Sequence, residues 1–484
     1  MKYQPTMESL STHVVPEWYH DAKLGIMITW GLYSVPAWAP YSELDIMDMI
    51  AKEGFSANKK TPYAEWYLNS MQFKDGPTWK HHVETYGENF PYDDFKKLFE
   101  EASAKMDPDA WAEFFQQAGA RYMVFITKHC DGYLLWPSNY RHPFKTDHQS
   151  KRDFVGELTE AVHRKNMRMG LYYSGVWDWS FTHTPIDSVW AALMNMQQSR
   201  QYIEYANNHI RELIDRYSPS ILWGDIGYPA GTDVKELMAY YYNTVEDGVV
   251  NDRWSQIEIP DDPVALASMK AAVESAEKTM QSQATMEPSC HYDFRTPEYA
   301  AFKEIRTEKW ETVRGIGKSF GYNQIEDEKV TLSSGELIRY FIDIVSKNGN
   351  LLVGIGPRAD GTVSELQRKP LLELGAWLKI NGEALFDTRP WKQAEGKTEE
   401  GMDVRFTKKA ESLYATILDT PRGKEISLKN LKAAGNTEVF LLGHHSPLQW
   451  EQEGDSIKVT LPGSLSQSAA HCFKITPQPE YRQS

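Results

Sequence analysis

The feature that most constrains the fold is an alternation of short apolar runs with amphipathic stretches between residues 21 and about 385. Helical patterns separate several of these runs, at 107–120, 153–166, 202–217 and 335–347. Repeated strand–helix units predict a parallel sheet, and their number favours a closed (β/α)8-like, TIM-type barrel over an open sheet. The runs that read as buried strands are 24–29, 121–128, 167–174, 220–225, 248–253 and 350–356.

After about residue 388 the pattern changes to short β-rich segments separated by turn residues. These segments lie at 403–419, 425–431, 438–443 and 456–462. They predict an antiparallel β-sandwich, and a chain of 484 residues is long enough for two domains. We therefore expect a barrel domain at 1–387 and a C-terminal β-sandwich domain at 388–484.

Charge and cysteine content exclude several classes of protein. Lys and Arg number 52 against 67 Asp and Glu, a net charge of -15, which argues against a nucleic-acid partner. No run of about 18 apolar residues predicts a membrane span. The three cysteines, Cys130, Cys290 and Cys472, have spacings that predict neither a disulfide framework nor a metal site, and we expect no cofactor.

Residues 1–15 lack a signal-peptide pattern, so the expected location is cytoplasmic unless a signal was removed before the numbering began.

Polar side chains follow the apolar runs just where each predicted strand ends. Parallel barrel strands bring their carboxyl ends to one face, so these side chains are expected to share a pocket. Carboxylates with His, Arg and aromatic residues suit glycoside hydrolysis, which commonly uses two carboxyl groups. Asp225, at the end of "ILWGD", is the first candidate, with a turn cap as its alternative role. The candidates for the second carboxyl group are Glu298, Glu311 and Glu65.

Longer motifs then carry a resemblance to a known family. In order they are "PYAEWY" (62–67), "YGENF" (86–90), "TKHCDGYLLW" (127–136), "GLYYSGVWDW" (170–179), "ILWGDIGYP" (221–229), "VNDRW" (250–254), "TPEY" (296–299) and "GIGKSFGYN" (315–323). Together the motifs resemble the bacterial-type α-L-fucosidases of glycoside hydrolase family 29, over nearly the whole chain. The resemblance implies a retaining exo-glycosidase that removes terminal α-L-fucosyl residues from oligosaccharides or glycosides, and often a homo-oligomer.

The same resemblance assigns roles to individual residues. Asp225 matches the nucleophile, and Glu298 matches the acid/base of the bacterial branch, with Glu311 as the main alternative to Glu298. The residues that match sugar-binding positions are Glu65, Trp66, His129, Tyr172 and Arg253. Phe320 matches the wall that holds the deoxy methyl group.

Two of the pocket positions depart from the family pattern. Thr29 and Cys130 stand where the family usually has histidines that contact sugar hydroxyls. Losing two such hydrogen bonds would slow fucoside turnover by roughly a hundredfold or more. The alternative functions are therefore an α-L-galactosidase, since L-galactose is L-fucose with a hydroxyl on carbon 6, and a weakly catalytic sugar-binding protein.

A third departure is the length of chain between Arg253 and Glu298. A helix is predicted at 261–280, with Asp262 as its N-cap. Segment 261–284 either shapes the leaving-group side of the site or lies on the surface with no role in the site.

Overall fold

The computed structural model describes residues 2–279 and 288–482. The strands of the first domain are β1 (Leu24–Ile28), β2 (Tyr122–Lys128), β3 (Arg168–Ser174), β4 (Ile221–Asp225), β5 (Val249–Val250), β6 (Trp310–Gly315) and β7 (Gly349–Ile355). The helices are α1 (Met7–Leu10), α2 (Glu17–Ala22), α3 (Ile46–Glu53), α4 (Tyr67–Ser70), α5 (Pro77–Tyr86), α6 (Phe95–Ser103), α7 (Pro108–Gln117), α8 (Phe154–Arg164), α9 (Val189–Met194), α10 (Arg200–Tyr217), α11 (Val234–Thr244), α12 (Pro263–Thr279), α13 (Ser334–Ser346) and α14 (Glu365–Asn381).

Strands β1 to β7 form one parallel sheet in the order β5-β4-β3-β2-β1-β7-β6. Their side chains are buried along almost their full length, as expected where helices cover one face and side chains fill the other. Helices such as α8 bury one apolar stripe, here Val155, Leu158 and Val162, against this sheet. The continuous apolar runs in the sequence are thus the barrel strands.

An irregular segment, residues 293–299, lies between β5 and β6, and we call it the seam. It is joined to β5 by Asp293 N, which donates to Val250 O at 2.9 Å. Further backbone bonds join it to β6, from Arg295 N to Lys309 O, Glu311 N to Arg295 O, Val313 N to Pro297 O and Tyr299 N to Val313 O. Seven strands and the seam therefore complete the ring, which confirms the predicted (β/α)8-like barrel.

Within the barrel domain the sequence predicted neither strand β6 nor helices α1 to α6, α9, α11 and α14. Glu311 and Arg314 interrupt the apolar run of β6, and Pro370 interrupts the helical pattern of α14. β5 is shorter than the predicted 248–253 because a side chain replaces its backbone pairing. Asn251 Oδ1 accepts from Gly224 N at 2.9 Å, and Asn251 Nδ2 donates to Gly224 O at 2.8 Å.

The C-terminal strands are antiparallel, as predicted. They are β8 (Arg389–Lys397), β9 (Asp403–Lys409), β10 (Ser412–Ile417), β11 (Glu425–Leu428), β12 (Leu431–Lys432), β13 (Glu438–Leu441), β14 (Trp450–Glu453), β15 (Ser456–Thr460), β16 (His471–Thr476) and β17 (Glu480–Tyr481). A five-stranded sheet, β13-β16-β10-β9-β8, shares one apolar core with the three-stranded sheet β11-β15-β14. The boundary at 387/388 stays a prediction.

The C-terminal domain packs on the last helices of the barrel. Trp377 Nε1 of α14 donates to Ala470 O at 3.0 Å, and Arg405 pairs with Asp343 of α13 at 2.5 Å. Within the described part of the chain, no helix has the length and apolar character needed to cross a membrane.

Candidate active site

A cavity opens at the carboxyl ends of the barrel strands, where the sequence predicts the site. The predicted residues that line it are Thr29, Glu65, Trp66, His129, Tyr172, Asp225, Arg253, Glu298 and Phe320. They come from the ends of β1 to β5, the turn Ala64–Trp66, the seam and the loop after β6. Residues 225 and 298, far apart in sequence, thus reach one cavity.

Asp225 ends β4 with both carboxylate oxygens engaged. Tyr172 OH donates to Oδ2 at 2.7 Å, and Arg253 Nη1 donates to Oδ1 at 2.9 Å. Burial, and then the Asp225 carboxylate, raises the pKa of Tyr172 well above its usual value, so the phenol stays protonated and donates. These two bonds fix the direction in which the carboxylate points.

Glu298 lies in the seam and is held in a similar way. Tyr63 OH donates to Oε1 at 2.6 Å, and Arg253 Nη1 and Nη2 both donate to Oε2 at 3.2 Å. Burial, followed by the Glu298 carboxylate, raises the pKa of Tyr63 well above its usual value. Each of the two carboxylates therefore has one phenol and a share of one guanidinium.

Arg253 connects the two carboxylates to the seam. Nε donates to Thr296 Oγ1 at 2.9 Å and Nη2 to Thr296 O at 3.0 Å. Burial alone lowers the pKa of Arg253, but Asp225 and Glu298 together raise it above its usual value. The side chain is a permanent cation with a fixed orientation.

Trp223 is the platform beneath these groups. Its ring stacks on Tyr172 at a centroid distance of 5.4 Å, and the Arg253 guanidinium lies 4.9 Å from its centroid. Trp223 Nε1 donates to Glu311 Oε1 at 3.0 Å. The indole thus supports both partners of Asp225.

Glu311 lies below the cavity, with no exposed surface, and does not line it. Its other oxygen, Oε2, accepts from Tyr19 OH and Tyr122 OH. Burial raises the pKa of Glu311, and the hydrogen bonds oppose this. The geometry makes Glu311 an anchor of Trp223, so it does not take the second carboxyl position that the sequence left open to it.

The inner end of the cavity combines a carboxyl group with free hydrogen-bonding atoms. Glu65 Oε2 accepts from Ser319 Oγ at 3.1 Å and Gly321 N at 2.9 Å, and burial raises the pKa of Glu65 to about 7. Thr29 Oγ1 and His129 Nδ1 are buried and have no partner among the described residues. Burial lowers the pKa of His129 to about 4, so its ring is neutral at ordinary pH.

Cys130 is the one predicted site residue that the structure keeps away from the cavity wall. It is buried, and Sγ lies 3.4 Å from Ser174 Oγ. Its neighbours are apolar residues of the loop after β3, including Val176, Trp177 and Trp179. The backbone turn after His129 directs the next side chain into this cluster behind the wall.

The backbone after Asp225 is tightly constrained. Gly224 has no room for a side chain, since a Cβ there would lie 2.5 Å from Trp254 Cε2. Ile226 follows with φ of 64°, a conformation that a β-branched residue adopts only under strain. This sharp turn ends the strand just past the carboxylate.

Helix α12 matches the predicted helix and its cap. Asp262 Oδ1 accepts from Val264 N at 3.1 Å and Ala265 N at 2.8 Å. The helix packs on α9, where Glu277 Oε1 accepts from Val189 N at 3.2 Å. None of residues 261–279 lines the cavity, and 280–284 lie outside the described residues, so a role on the leaving-group side stays a prediction.

One group within residues 2–279 and 288–482 has the side chains to hold a metal ion: His13, His291 and Asp293. It lies at the start of the seam, and its atoms are already hydrogen-bonded. His13 Nδ1 contacts Asp293 Oδ1 at 2.7 Å, and Tyr242 OH donates to Asp293 Oδ2 at 2.7 Å. We interpret the group as a hydrogen-bond network that fixes the seam.

Comparison with known proteins identifies the family. The Alpha-L-fucosidase family model matches residues 1–383, and the model of the Alpha-L-fucosidase C-terminal domain matches 397–476. The chain belongs to the α-L-fucosidase family, glycoside hydrolase family 29. It is 31% identical to human plasma alpha-L-fucosidase over 95% of this chain and 89% of the relative.

Solved fucosidase structures have the same fold. The alpha-fucosidase of Thermotoga maritima is 38% identical, with a TM-score of 0.82 over 98% of this chain and 100% of that one. The same enzyme with a mechanism-based inhibitor is 37% identical over the same shares, with a TM-score of 0.82.

Sequence reasoning missed Tyr63 and Trp223, although both had a signal. Trp223 precedes Asp225 by two residues on β4, so strand periodicity places the two side chains on one face. Tyr63 stands in the motif "PYAEWY", two residues before Glu65. No sequence pattern indicates which groups Arg253 bonds, because its partners come from distant parts of the chain.

Proposed function

We propose that the protein is a retaining α-L-fucosidase that removes terminal α-L-fucosyl residues from a glycoside by double displacement. Asp225 attacks the anomeric carbon and forms a glycosyl ester as the bond to the leaving oxygen breaks, and Glu298 gives that oxygen its proton. Water then attacks the anomeric carbon, Glu298 takes the water proton, and Asp225 is released as a carboxylate.

The observation that carries this proposal is the sharing of Arg253 by both carboxylates. Asp225 Oδ1 and Glu298 Oε2 bond the same nitrogen at 2.9 and 3.2 Å. They therefore lie at most about 6 Å apart, below the roughly 6.5–9.5 Å of inverting enzymes, which must fit a water between their carboxyl groups. The spacing supports direct attack by Asp225.

The character of the inner cavity supports a deoxy sugar. Met27, Ile126, Val313 and Phe320 contribute apolar surface, while Glu65, Thr29 and His129 contribute polar atoms. An apolar wall suits the methyl group of fucose. A hydroxymethyl group there would leave a buried hydroxyl unpaired, at a cost of about 1–3 kcal/mol. The α-L-galactosidase alternative is accordingly not favoured, and a protein that only binds sugar has no need of the two carboxylates on Arg253.

The test compares initial rates on nitrophenyl α-L-fucoside and α-L-galactoside for the wild type and Asp225→Asn. We expect the fucoside kcat/KM to exceed the galactoside value by about tenfold or more, and Asp225→Asn to abolish both. A 2-fluoro-fucosyl fluoride should label Asp225, as read by peptide mass. Full activity in Asp225→Asn, or label on another residue, would refute the assignment.

Azide separates the two candidates for the acid/base. Glu298→Ala should lose activity, and azide should restore turnover with fucosyl azide as product, since azide needs no general base to attack the glycosyl ester. Glu311→Ala should lose activity through misplacement of Trp223, and azide should not restore it. Rescue of Glu311→Ala alone would transfer the acid/base role to Glu311.

A further inference from the structure

The residues that line the cavity differ in exposure, and this divides the cavity into a floor and a mouth. The floor is almost completely buried: Thr29 is 0%, Trp223 1% and Glu65 2% exposed. The side chains of Asp225 and Glu298 are 14% and 21% exposed. The carboxyl groups that would act on the glycosidic bond therefore lie towards the mouth, and the leaving group extends outward from them.

Apart from Arg253, which bonds both carboxylates and is 21% exposed, the remaining partly exposed lining residues are apolar and lie at the mouth. In the described part of the chain they are Met47, Ile50, Phe55, Trp66 and Ile226, which we call the apolar rim. Met47 and Ile50 belong to α3, and Phe55 to the following turn, Gly54–Lys60. Among these five side chains, the indole N–H of Trp66 is the sole hydrogen-bond donor.

The rim is a fixed surface. Phe55, Trp66 and Ile226 pack against the apolar cluster behind the wall. Trp66 makes edge contacts with Trp177 and Trp179, at centroid distances of 5.7 and 5.6 Å. A surface that is held in place before binding loses little side-chain freedom when a ligand covers it.

The chemistry of the rim distinguishes two kinds of leaving group. A sugar would bring several hydroxyls against side chains that cannot replace their bonds to water, which is costly. An alkyl or aryl group would cover apolar surface that is otherwise wet, and the gain grows with the area covered.

We propose that the apolar rim is the leaving-group site and that it binds an apolar aglycone, so that the preferred substrate is a fucoside of an alkyl or aryl alcohol. This inference rests on the proposed fucosidase activity and adds the class of leaving group to it.

The test compares methyl and hexyl α-L-fucoside, whose leaving groups have similar acidity and differ in apolar surface. Each buried methylene contributes roughly fourfold, so covering about two of the additional methylenes is enough to make kcat/KM for the hexyl fucoside about tenfold higher or more. Ile50→Ser and Met47→Ser should each lower this ratio several-fold. Lys52→Ser, on the exposed side of the same helix, should keep it.

Two further substrates make the outcomes distinct. α-L-Fucosyl fluoride, whose leaving group has no apolar surface, reports the fucosidase chemistry alone. If the enzyme hydrolyses the fluoride with a hexyl-to-methyl ratio near one, or prefers a fucosyl-lactose to the hexyl fucoside, the inference is overturned and the activity stands. Equal ratios in Ile50→Ser, Met47→Ser and Lys52→Ser would overturn the assignment to the rim. If the fluoride is not hydrolysed, the proposed function fails first.

Discussion

Each of the two carboxylates in the site is oriented by a hydrogen bond from one tyrosine hydroxyl group. Tyr172 donates to Asp225 and Tyr63 to Glu298, while Arg253 donates to both. The guanidinium supplies the positive charge for the pair and bonds one oxygen of each carboxylate, and each phenol fixes the orientation by bonding the other oxygen. Geometry at this scale therefore depends on hydroxyl groups that carry no charge of their own.

Tyr63→Phe tests this arrangement. Removing a hydrogen bond to a charged group costs about 1.5–3 kcal/mol, so we expect kcat/KM to fall by about tenfold or more while the fold persists. The measurement is steady-state kinetics on the nitrophenyl fucoside, with thermal unfolding as the check on folding. Tyr67→Phe is the matched control, because its hydroxyl contacts His82 outside the cavity at 3.1 Å. Equal losses in both variants would contradict a specific role for Tyr63.

The chemistry-bearing residues were predictable to the extent that strand ends and family motifs mark them. Asp225, Arg253 and His129 each follow an apolar run, and the barrel rule then places them together. Cys130 follows His129 directly, and no pattern shows that the turn sends it behind the wall. Glu298 was found through the motif "TPEY", since the seam that carries it is irregular and has no periodicity.

At the scale of elements, the seam is attached unequally to its two neighbours. Several backbone bonds join it to β6, whereas side chains dominate on the β5 side, through Asp293 and through the bonds of Thr296 with Asp252 and Arg253 just after β5. Asp293 Oδ2 accepts from Val250 N at 2.8 Å and Tyr242 OH at 2.7 Å, and Oδ1 contacts His13. Burial tends to raise the pKa of Asp293, but its hydrogen bonds with His13 and His291 bring it to about 2, so it is ionised at ordinary pH.

Asp293→Asn should loosen the β5 side of the seam. The amide nitrogen would face a buried donor, at a cost of about 1–3 kcal/mol. We expect a lower melting temperature, faster hydrogen exchange at the amides of 293–299, and a lower kcat because Glu298 moves with the seam. Asp247→Asn, which removes only a half-exposed ion pair with Arg168, is the control and should change little. Unchanged exchange in Asp293→Asn would show that the backbone bonds and the contacts of Thr296 hold the seam without Asp293.

The barrel strands that the sequence predicted over their full length are those whose burial is nearly continuous. β1 to β4 and β7 read as apolar runs because both faces are covered. β6 was missed because Glu311 lies within it, and only the folded barrel supplies the Tyr19, Tyr122 and Trp223 donors that make a buried carboxylate tolerable there.

At the scale of the whole molecule, burial shifts many titrating groups at once. Burial lowers the pKa of His209 to about 3. It lowers the pKa values of five other histidines to about 4, namely His20, His129, His142, His148 and His183. Burial raises the pKa values of Glu65 and Glu326 to about 7 and of Asp131 to about 6. The lowered histidine pKa values and the raised carboxyl pKa values change the stability of the fold with pH in opposite directions.

Acid should therefore weaken the fold well above the range in which ordinary carboxylates titrate. Between pH 6.5 and about 4.5 the unfolded chain takes up protons on these histidines and the folded chain does not, so stability falls as pH falls. The raised carboxyl groups oppose this, because the folded chain keeps protons that the unfolded chain has lost, but the histidines outnumber them. We expect a lower urea midpoint at pH 5 than at pH 7.

His209→Gln should reduce this pH dependence, and exposed His445→Gln should not. The measurement is urea unfolding followed by tryptophan fluorescence at both pH values. A midpoint that is equal or higher at pH 5 would contradict the prediction.

The seam determines where the chain can gain or lose residues without disturbing the barrel. One residue inserted into a regular strand would shift its register and move every following side chain to the opposite face. The stretch between β5 and the seam escapes this penalty, because Asp293 pins the point of re-entry through its side chain. Residues 254–292, including α12, occupy this stretch. Residues gained or lost in this stretch would leave the Glu298 carboxyl group in place, so the least regular position of the barrel is also the one where a change in chain length disturbs the site least.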